Sequence, residues 1–212
     1  IGGASGTITV ERKGGKLVLS SEQIDFAGSP LSGRIALDPG PAGSQRISGD
    51  LMSEAASLPG VLAALTSGRA PTSATGTASG RSKSPWSEAA LDLEGLDRVA
   101  DSHLNLAVGR LTLAPGASVK DAKVEISSRT GGLEMRLTQG KALGGRASGV
   151  LTLEKAAAGV RMMTEARLAG GRIEAFAGAP GEAKVIGGLA FSIKGEGTAL
   201  TPRGLIVASA GS

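Results

Sequence analysis

The chain has a single histidine, His103, and the two residues before it are Asp101 and Ser102, so the three residue types of a serine triad stand together. A triad requires these side chains to converge in space, whereas consecutive residues of a strand point to alternating sides. We therefore interpret His103 as a surface residue and expect no enzymatic activity. One histidine without any cysteine also cannot supply the ligands of an ordinary zinc site.

An acidic segment and two glycine-rich segments are the remaining candidates for chemistry. The acidic residues within 88–101 lack the spaced Asp/Asn-Gly pattern of a calcium loop, which favours a solvated face or turn. Gly195-Glu196-Gly197 lacks the third glycine and the following helix of a dinucleotide loop. Lys16 follows Gly14-Gly15 but no Ser or Thr follows it, as a phosphate loop would require. We expect neither a metal nor a cofactor.

The composition predicts an aliphatic interior and excludes a stacking surface. Aromatic residues are 2% of the chain, with no Tyr and one Trp, so the platforms on which nucleic-acid bases stack are almost absent. We therefore predict no nucleic-acid partner. The net charge is +4, divided as −2 over residues 1–106 and +6 over residues 107–212. A basic half can favour anionic partners, but these cations are dispersed through alternating strands, which predicts a solvated strand face.

The strand pattern is clearest in the segment 144–153, where a glycine corner leads into alternating apolar and polar residues. Lys13-Gly14-Gly15-Lys16 between two alternating runs predicts a hairpin, because both central glycines can take positive φ. Helical spacing behind a Ser57 cap predicts a short helix over 57–65, and a second one is suggested over 173–177. The predicted fold is mainly β: a long, curled antiparallel sheet forming a repeating β-groove, with two or three short helices.

A shift of 116 residues superimposes the two halves of the sequence, since it carries Leu17 to Leu133 and Gly33 to Gly149. One supersecondary unit is therefore used twice. We predict a first β-repeat unit over residues 1–85, truncated at its N-terminus, and a second over residues 86–212, truncated at its C-terminus. No apolar run approaches the roughly 18 residues that span a membrane, and no signal peptide opens the chain. We expect it to be a piece of a longer protein.

Glycine-and-strand segments recur along the chain: Trp86-Ser87, Leu91-Asp92-Leu93, Leu96, Leu104-Asn105-Leu106, Gly109-Arg110-Leu111, Gly132-Leu133, Gly144-Gly145-Arg146-Ala147-Ser148-Gly149 and Phe191-Ser192-Ile193-Lys194-Gly195-Glu196-Gly197. In these segments the chain resembles the AsmA family. The resemblance implies a Gram-negative envelope protein with a periplasmic β-groove, held to the inner membrane by a helix that lies outside this sequence. The wider group is implicated in moving phospholipid toward the outer membrane, so the resemblance implies phospholipid or another envelope lipid as partner.

The residues themselves are compatible with such a groove, because alternating strands would line it with Leu and Val and place charged residues outside. We predict the following lining: Leu17, Leu19, Ile35, Leu37, Leu104, Leu106, Val108, Leu133, Met135, Leu137, Leu151, Leu153, Leu189, Phe191 and Ile193. Two alternatives stay open. The same residues could form the closed core of a β-sandwich, and the chain could be a structural module whose strand edges join neighbouring repeats or a partner.

Overall fold

The computed structural model describes residues 5–26, 29–40, 45–66, 101–129, 131–173 and 187–210. Within these ranges the chain forms one sheet of eleven strands and two short helices. The strands are β1 Ser5–Gly6, β2 Thr9–Lys13, β3 Lys16–Phe26, β4 Ser29–Pro39, β5 Gln45–Ser57, β6 Ser102–Ala114, β7 Ala117–Arg129, β8 Gly132–Ala142, β9 Gly145–Ala156, β10 Gly159–Arg172 and β11 Gly188–Ala199. The helices are α1 Leu58–Thr66 and α2 Pro202–Ala210.

The sheet follows the chain order from β3 to β11, with β1 and β2 both paired to β3 at one edge. Every pairing between described strands is antiparallel except that of β5 with β6, which is parallel. Antiparallel neighbours need only short turns, whereas a parallel pair needs a long crossover, and here residues 58–101 separate the two strands. The prediction of a mainly β fold with short helices is confirmed. The sheet is mixed, because it contains one parallel pair among its described strands.

The first hairpin forms as predicted, between β2 and β3. Gly14 and Gly15 have φ of 58° and 84°, the positive values that a tight two-residue turn requires at both central positions. The pairing of Lys13 with Lys16 closes this turn.

Both helices begin with a hydroxyl cap. Ser57 Oγ accepts a hydrogen bond from the Gly60 N–H at 3.1 Å, and the predicted short helix is confirmed as α1. Thr201 Oγ1 accepts from the Gly204 N–H at 3.0 Å and starts α2, which the sequence interpretation missed. The Thr201-Pro202 pair, a cap followed by proline in the first helical position, was the available signal. The suggested helix over 173–177 lies outside the described residues beyond its first position.

The internal repeat is visible in the strand register. Leu17 pairs with Leu37, and the same pair 116 residues later is Leu133 with Leu153. The repeat extends to the irregular ends of the hairpins, because both β3–β4 and β8–β9 contain a register shift after the same repeat position. The predicted boundary between two units at residues 85 and 86 lies outside the described residues, and the strands on either side belong to one sheet.

In four neighbouring strands, β5 to β8, the alternation of inward-facing and outward-facing residues shifts by one position at the same height in the sheet. In β6 the buried series passes from Val108 to Leu111, and in β7 from Ala122 to Val119. Asp121, with φ of 50°, lies at this step in β7. Because a one-residue slip in a single strand would turn its side chains to the wrong face, the strands must shift together. The coordinated shift keeps the buried residues of all four strands on one face of the sheet.

Candidate functional site: the apolar face of the sheet

The register places the predicted lining residues on one face of the sheet. One cross-strand row contains Leu19, Ile35, Leu104, Met135 and Leu151, joined by successive pairings from β3 to β9. Residues opposite one another in a sheet lie on the same face, so the row is an aliphatic band that is interrupted at Gly49 of β5.

The other predicted residues occupy parallel rows of this face. Leu17 and Leu37 pair in the β3–β4 hairpin, as Leu133 and Leu153 do in the β8–β9 hairpin. Toward the other end of the strands, one row contains Leu106, Leu137 and Ile193. Val108 lies opposite Ala122, Phe191 opposite Leu168, and Leu189 opposite Gly171. These residues therefore lie on one face of the sheet, and their role as the lining of a lipid groove stays a prediction.

Burial divides this face into unequal parts. The residues that are buried are Leu106, Val108, Leu133, Met135 and Leu153. Those that are half-buried are Leu17, Leu19, Ile35, Leu37, Leu104, Leu137, Leu151 and Leu189. On the edge strand β11, Phe191 is 42% exposed and Ile193 is 56% exposed. The face is thus covered over β6 to β10 and more open toward both edges.

The repeated hairpin occurs as β3–β4 and as β8–β9, and the two copies differ in how deeply their apolar residues are buried. Leu133 and Leu153 in the second copy are 3% and 1% exposed, whereas the equivalent Leu17 and Leu37 in the first copy are only half-buried. Strand pairing is the same in both copies, so the difference arises from the surroundings of each hairpin and not from the hairpin itself. The first copy leaves an aliphatic surface over β3 and β4 that is partly accessible.

The two helices close opposite ends of the buried region. Helix α1 follows β5 at the end of the sheet where β6 finishes, and its Leu62 belongs to the central core. Helix α2 follows β11 at the other end and contributes Leu205 to the same core. Both helices are short, and each adds a buried leucine to the core.

In the strands from β3 to β10 that the structure describes, the middle rows of this face carry no charged side chain, and Lys155, exposed at the end of β9 opposite Val160, lies at its margin. Its buried hydroxyls are satisfied internally: Ser53 Oγ donates to the Ala55 carbonyl at 2.8 Å, and Ser102 Oγ accepts from the Ile47 N–H at 3.0 Å. The face therefore offers dispersion and hydrophobic contact rather than polar recognition.

Sequence reasoning missed several members of the core on β7 and β10. These are the buried residues Val119, Ala122, Val124, Ile126, Val160 and Met162. The alternation of apolar residues with Lys123 and Glu125 in β7 was a clear signal of a strand buried on one side.

His103 and its neighbours do not form a catalytic arrangement. His103 is exposed on the outer face, while Ser102 is buried on the inner face and bonded to Ile47. Asp101 precedes β6 with φ of 48° and is exposed. In the part of the chain that the structure describes, no three His, Cys, Asp or Glu side chains are grouped in a way that could hold a metal ion. The rest of the acidic segment 88–101 lies outside the described residues.

A polar depression lies away from the apolar face, where β1 and β2 pair with β3. It has a volume of about 900 Å³ and is lined by Gly6, Thr7, Thr9, Ser20, Ser21, Glu22 and Gln23. Ser21 Oγ donates to the Thr7 carbonyl at 2.7 Å, so the depression is partly bridged by its own hydrogen bond. None of the predicted lining residues belongs to it.

The outer face of the sheet carries exposed ion pairs between neighbouring positions. Arg167 donates to Glu165 Oε1 from Nη2 at 2.6 Å and from Nε at 2.9 Å, and this hydrogen bonding lowers the pKa of the Glu165 carboxyl. The hydrogen bond to Glu134 raises the pKa of the Arg136 guanidinium in the same way. These pairs are solvated, so each stabilises the fold only modestly.

The geometry defines a class of protein: an open, mainly β protein with an internal repeat and one continuous aliphatic face. Comparison of the chain with protein-family models, curated proteins and solved structures finds no match. Neither of the described helices is long and apolar enough to cross a membrane.

Proposed function

We propose that the protein binds lipid acyl chains without catalysis, on the partly open aliphatic surface of the β3–β4 hairpin and the adjoining β5. The observation that carries this proposal is the contrast between the repeat copies. Equivalent leucines are covered in the second copy and half-buried in the first, although strand pairing is the same. An acyl chain laid along β3 and β4 would cover the first copy as the core covers the second.

The size of the hydrophobic effect makes such binding favourable without a polar site. Each methylene removed from water contributes about 0.8 kcal/mol, so about ten methylenes contribute about 8 kcal/mol before the cost of ordering the chain. The Leu and Ile rows of β3 and β4 provide a surface for a flexible hydrocarbon, and Arg12 of β2 lies at the margin of this surface, opposite Leu17. Affinity would depend on chain length more than on the headgroup.

The resemblance to the AsmA family extends this proposal to the cellular setting. On that basis the chain is a fragment of a periplasmic protein of a Gram-negative bacterium, anchored to the inner membrane by a segment outside this sequence. The bound lipid would be phospholipid passing between the inner and outer membranes. Neighbouring repeats of the same chain would continue the aliphatic surface.

The test is native mass spectrometry of the protein purified from bacterial cells, with lipid analysis of its organic extract. We expect near-stoichiometric phospholipid on the wild type. The Leu19→Asp variant should retain the fold, because Leu19 is half-buried. Its lipid occupancy should fall about tenfold, since one leucine contact contributes roughly 1.5 kcal/mol or more.

Two matched variants complete the design. Met135→Asp changes the equivalent position of the second copy, which is 5% exposed, and should prevent folding rather than lower lipid occupancy alone. Arg34→Gln changes an exposed residue of the outer face and should leave occupancy unchanged. A wild-type protein that is free of lipid and takes up none when it is added would contradict the proposal.

A second function, a structural or interaction module with a closed core, is favoured by the deep burial of β6 to β10. Val119 and Leu153 are 1% exposed, as in a core with no room for a ligand. Both edges of the sheet carry exposed apolar residues, including Val10 and Ile193, and unpaired edges can join further strands. This module would assemble with increasing concentration in the absence of lipid, which analytical ultracentrifugation measures directly.

A further inference from the structure

Four basic residues lie directly opposite one another across β6, β7, β8 and β9. The register pairs Arg110 with Lys120, Lys120 with Lys141, and Lys141 with Arg146. All four side chains are exposed, on the face opposite the core. Because neighbouring strands are about 4.8 Å apart, this cation row is a straight line about 14 Å long. The sequence interpretation described the basic half as dispersed, and the pairing brings these cations together.

The cation row is not neutralised as the other charges of the outer face are. Among the described residues, Asp121 alone pairs with it, through a contact of 3.0 Å to Lys141 Nζ, and Arg110, Lys120 and Arg146 have no ion-pair partner. Like charges directly opposite one another destabilise a sheet. An arrangement that works against stability in this way indicates a function for the positive charge.

The two turns next to the cation row contain no charged residue. The row lies near the end of the sheet where β6 turns into β7 through Ala114-Pro115-Gly116-Ala117 and β8 turns into β9 through Leu143-Gly144. Helix α1 begins at this same end, because Ser57 pairs with Thr112, and it contains no charged residue. These two turns and the start of α1, which we call the uncharged tips, lie at the same end of the sheet as the cation row.

We propose that this end of the sheet docks on the surface of an anionic lipid bilayer, with the cation row contacting lipid phosphates and the uncharged tips meeting the headgroup region. Basic residues close to an anionic bilayer each contribute to binding. A nucleic acid fits less well, because the aromatic residues of the described strands, Phe26 and Phe191, lie on β3 and β11, away from the row. This surface lies on the opposite face from the proposed acyl-chain site and does not depend on it.

The test is flotation with vesicles of phosphatidylcholine containing phosphatidylglycerol, compared with vesicles of phosphatidylcholine alone. We expect binding to the anionic vesicles only, and loss of binding at high ionic strength. Each neutralised cation should weaken partitioning about fivefold. The variant R110Q/K120Q/K141Q/R146Q should therefore bind at least about a hundredfold more weakly, and removing like-charge repulsion should not harm its fold.

A matched control removes the same charge from elsewhere on the protein. The variant R12Q/K13Q/R34Q/R46Q also changes four exposed basic residues, so both variants have the same net charge. We expect the control to keep most of its vesicle binding. An equal loss in both variants would overturn the proposal, as would wild-type protein that ignores anionic vesicles. Tighter binding to a duplex oligonucleotide than to the vesicles would also overturn it, in favour of a nucleic-acid surface.

Discussion

Truncating one leucine in each copy of the repeated hairpin measures how differently the two copies are covered. Leu153 is 1% exposed, pairs with Leu133 and Met162, and belongs to the central core. Its counterpart Leu37 pairs with Leu17 and is half-buried. The variants Leu153→Ala and Leu37→Ala thus make the same chemical change in the same local strand geometry.

The expected losses of stability differ because only one site would be left with a cavity. At a fully buried position the change removes the transfer free energy of the side chain and leaves a void, which together lower the free energy of unfolding by about 3 kcal/mol. At a half-buried position solvent already reaches the side chain and can occupy the vacated space. The loss for Leu37→Ala should therefore be about 1 kcal/mol.

Equilibrium unfolding in urea, followed by far-ultraviolet circular dichroism, measures both values. The slope of the unfolding free energy against urea should be the same for the wild type and both variants, so that the midpoints report stability alone. Equal losses for the two variants would refute the idea that the first copy has the more open face. The acyl-chain proposal would then lose its structural basis.

Two further predictions concern a close backbone approach and an exposed carboxylate. Gly33 has φ of 138°, and an added Cβ would lie 2.1 Å from the Asp50 carbonyl oxygen, so Gly33→Ala should lower the free energy of unfolding by at least about 2 kcal/mol. Gly116→Ala should cost less, because φ is also positive there but the added Cβ would meet no atom within 4 Å. Similar losses for the two variants in urea unfolding would contradict this. Because Arg167 lowers the pKa of Glu165 in the folded state, this pair should stabilise the protein above the unfolded-state pKa of the carboxyl and lose its effect as the pH falls through the folded-state pKa. Urea midpoints measured against pH should therefore decline less on acidification for Glu165→Gln, and an unchanged profile would show that the pair is not formed in solution.

Local sequence signals predicted the elements that depend on a few neighbouring residues. The Gly14-Gly15 turn and the Ser57 cap are fixed by backbone conformation and by a single hydrogen bond, and both formed where the pattern placed them. The repeat of 116 residues also predicted which strands would share a register. The same kind of signal was present at Thr201 and was overlooked.

Features that depend on distant packing could not be derived in this way. Leu17 is half-buried and Leu133 is buried although the local strand pairing is equivalent, so the difference depends on the surroundings of each hairpin. The cation row required the register across four strands, which no single strand encodes. Ile193 was assigned to the groove lining from alternation alone, and alternation does not reveal that β11 is the last strand of the described sheet or that Ile193 is exposed.

The parallel pairing of β5 with β6 affects how the protein is made. Ribosomal synthesis releases β3, β4 and β5 before β6, so the growing chain exposes a free β5 edge while the 44 residues of the crossover, 58–101, are still being added. An uncovered edge of this kind could recruit strands from other nascent chains. The β5 sequence contains Ser48, Asp50, Ser53 and Glu54, and its polar side chains oppose such recruitment until β6 arrives.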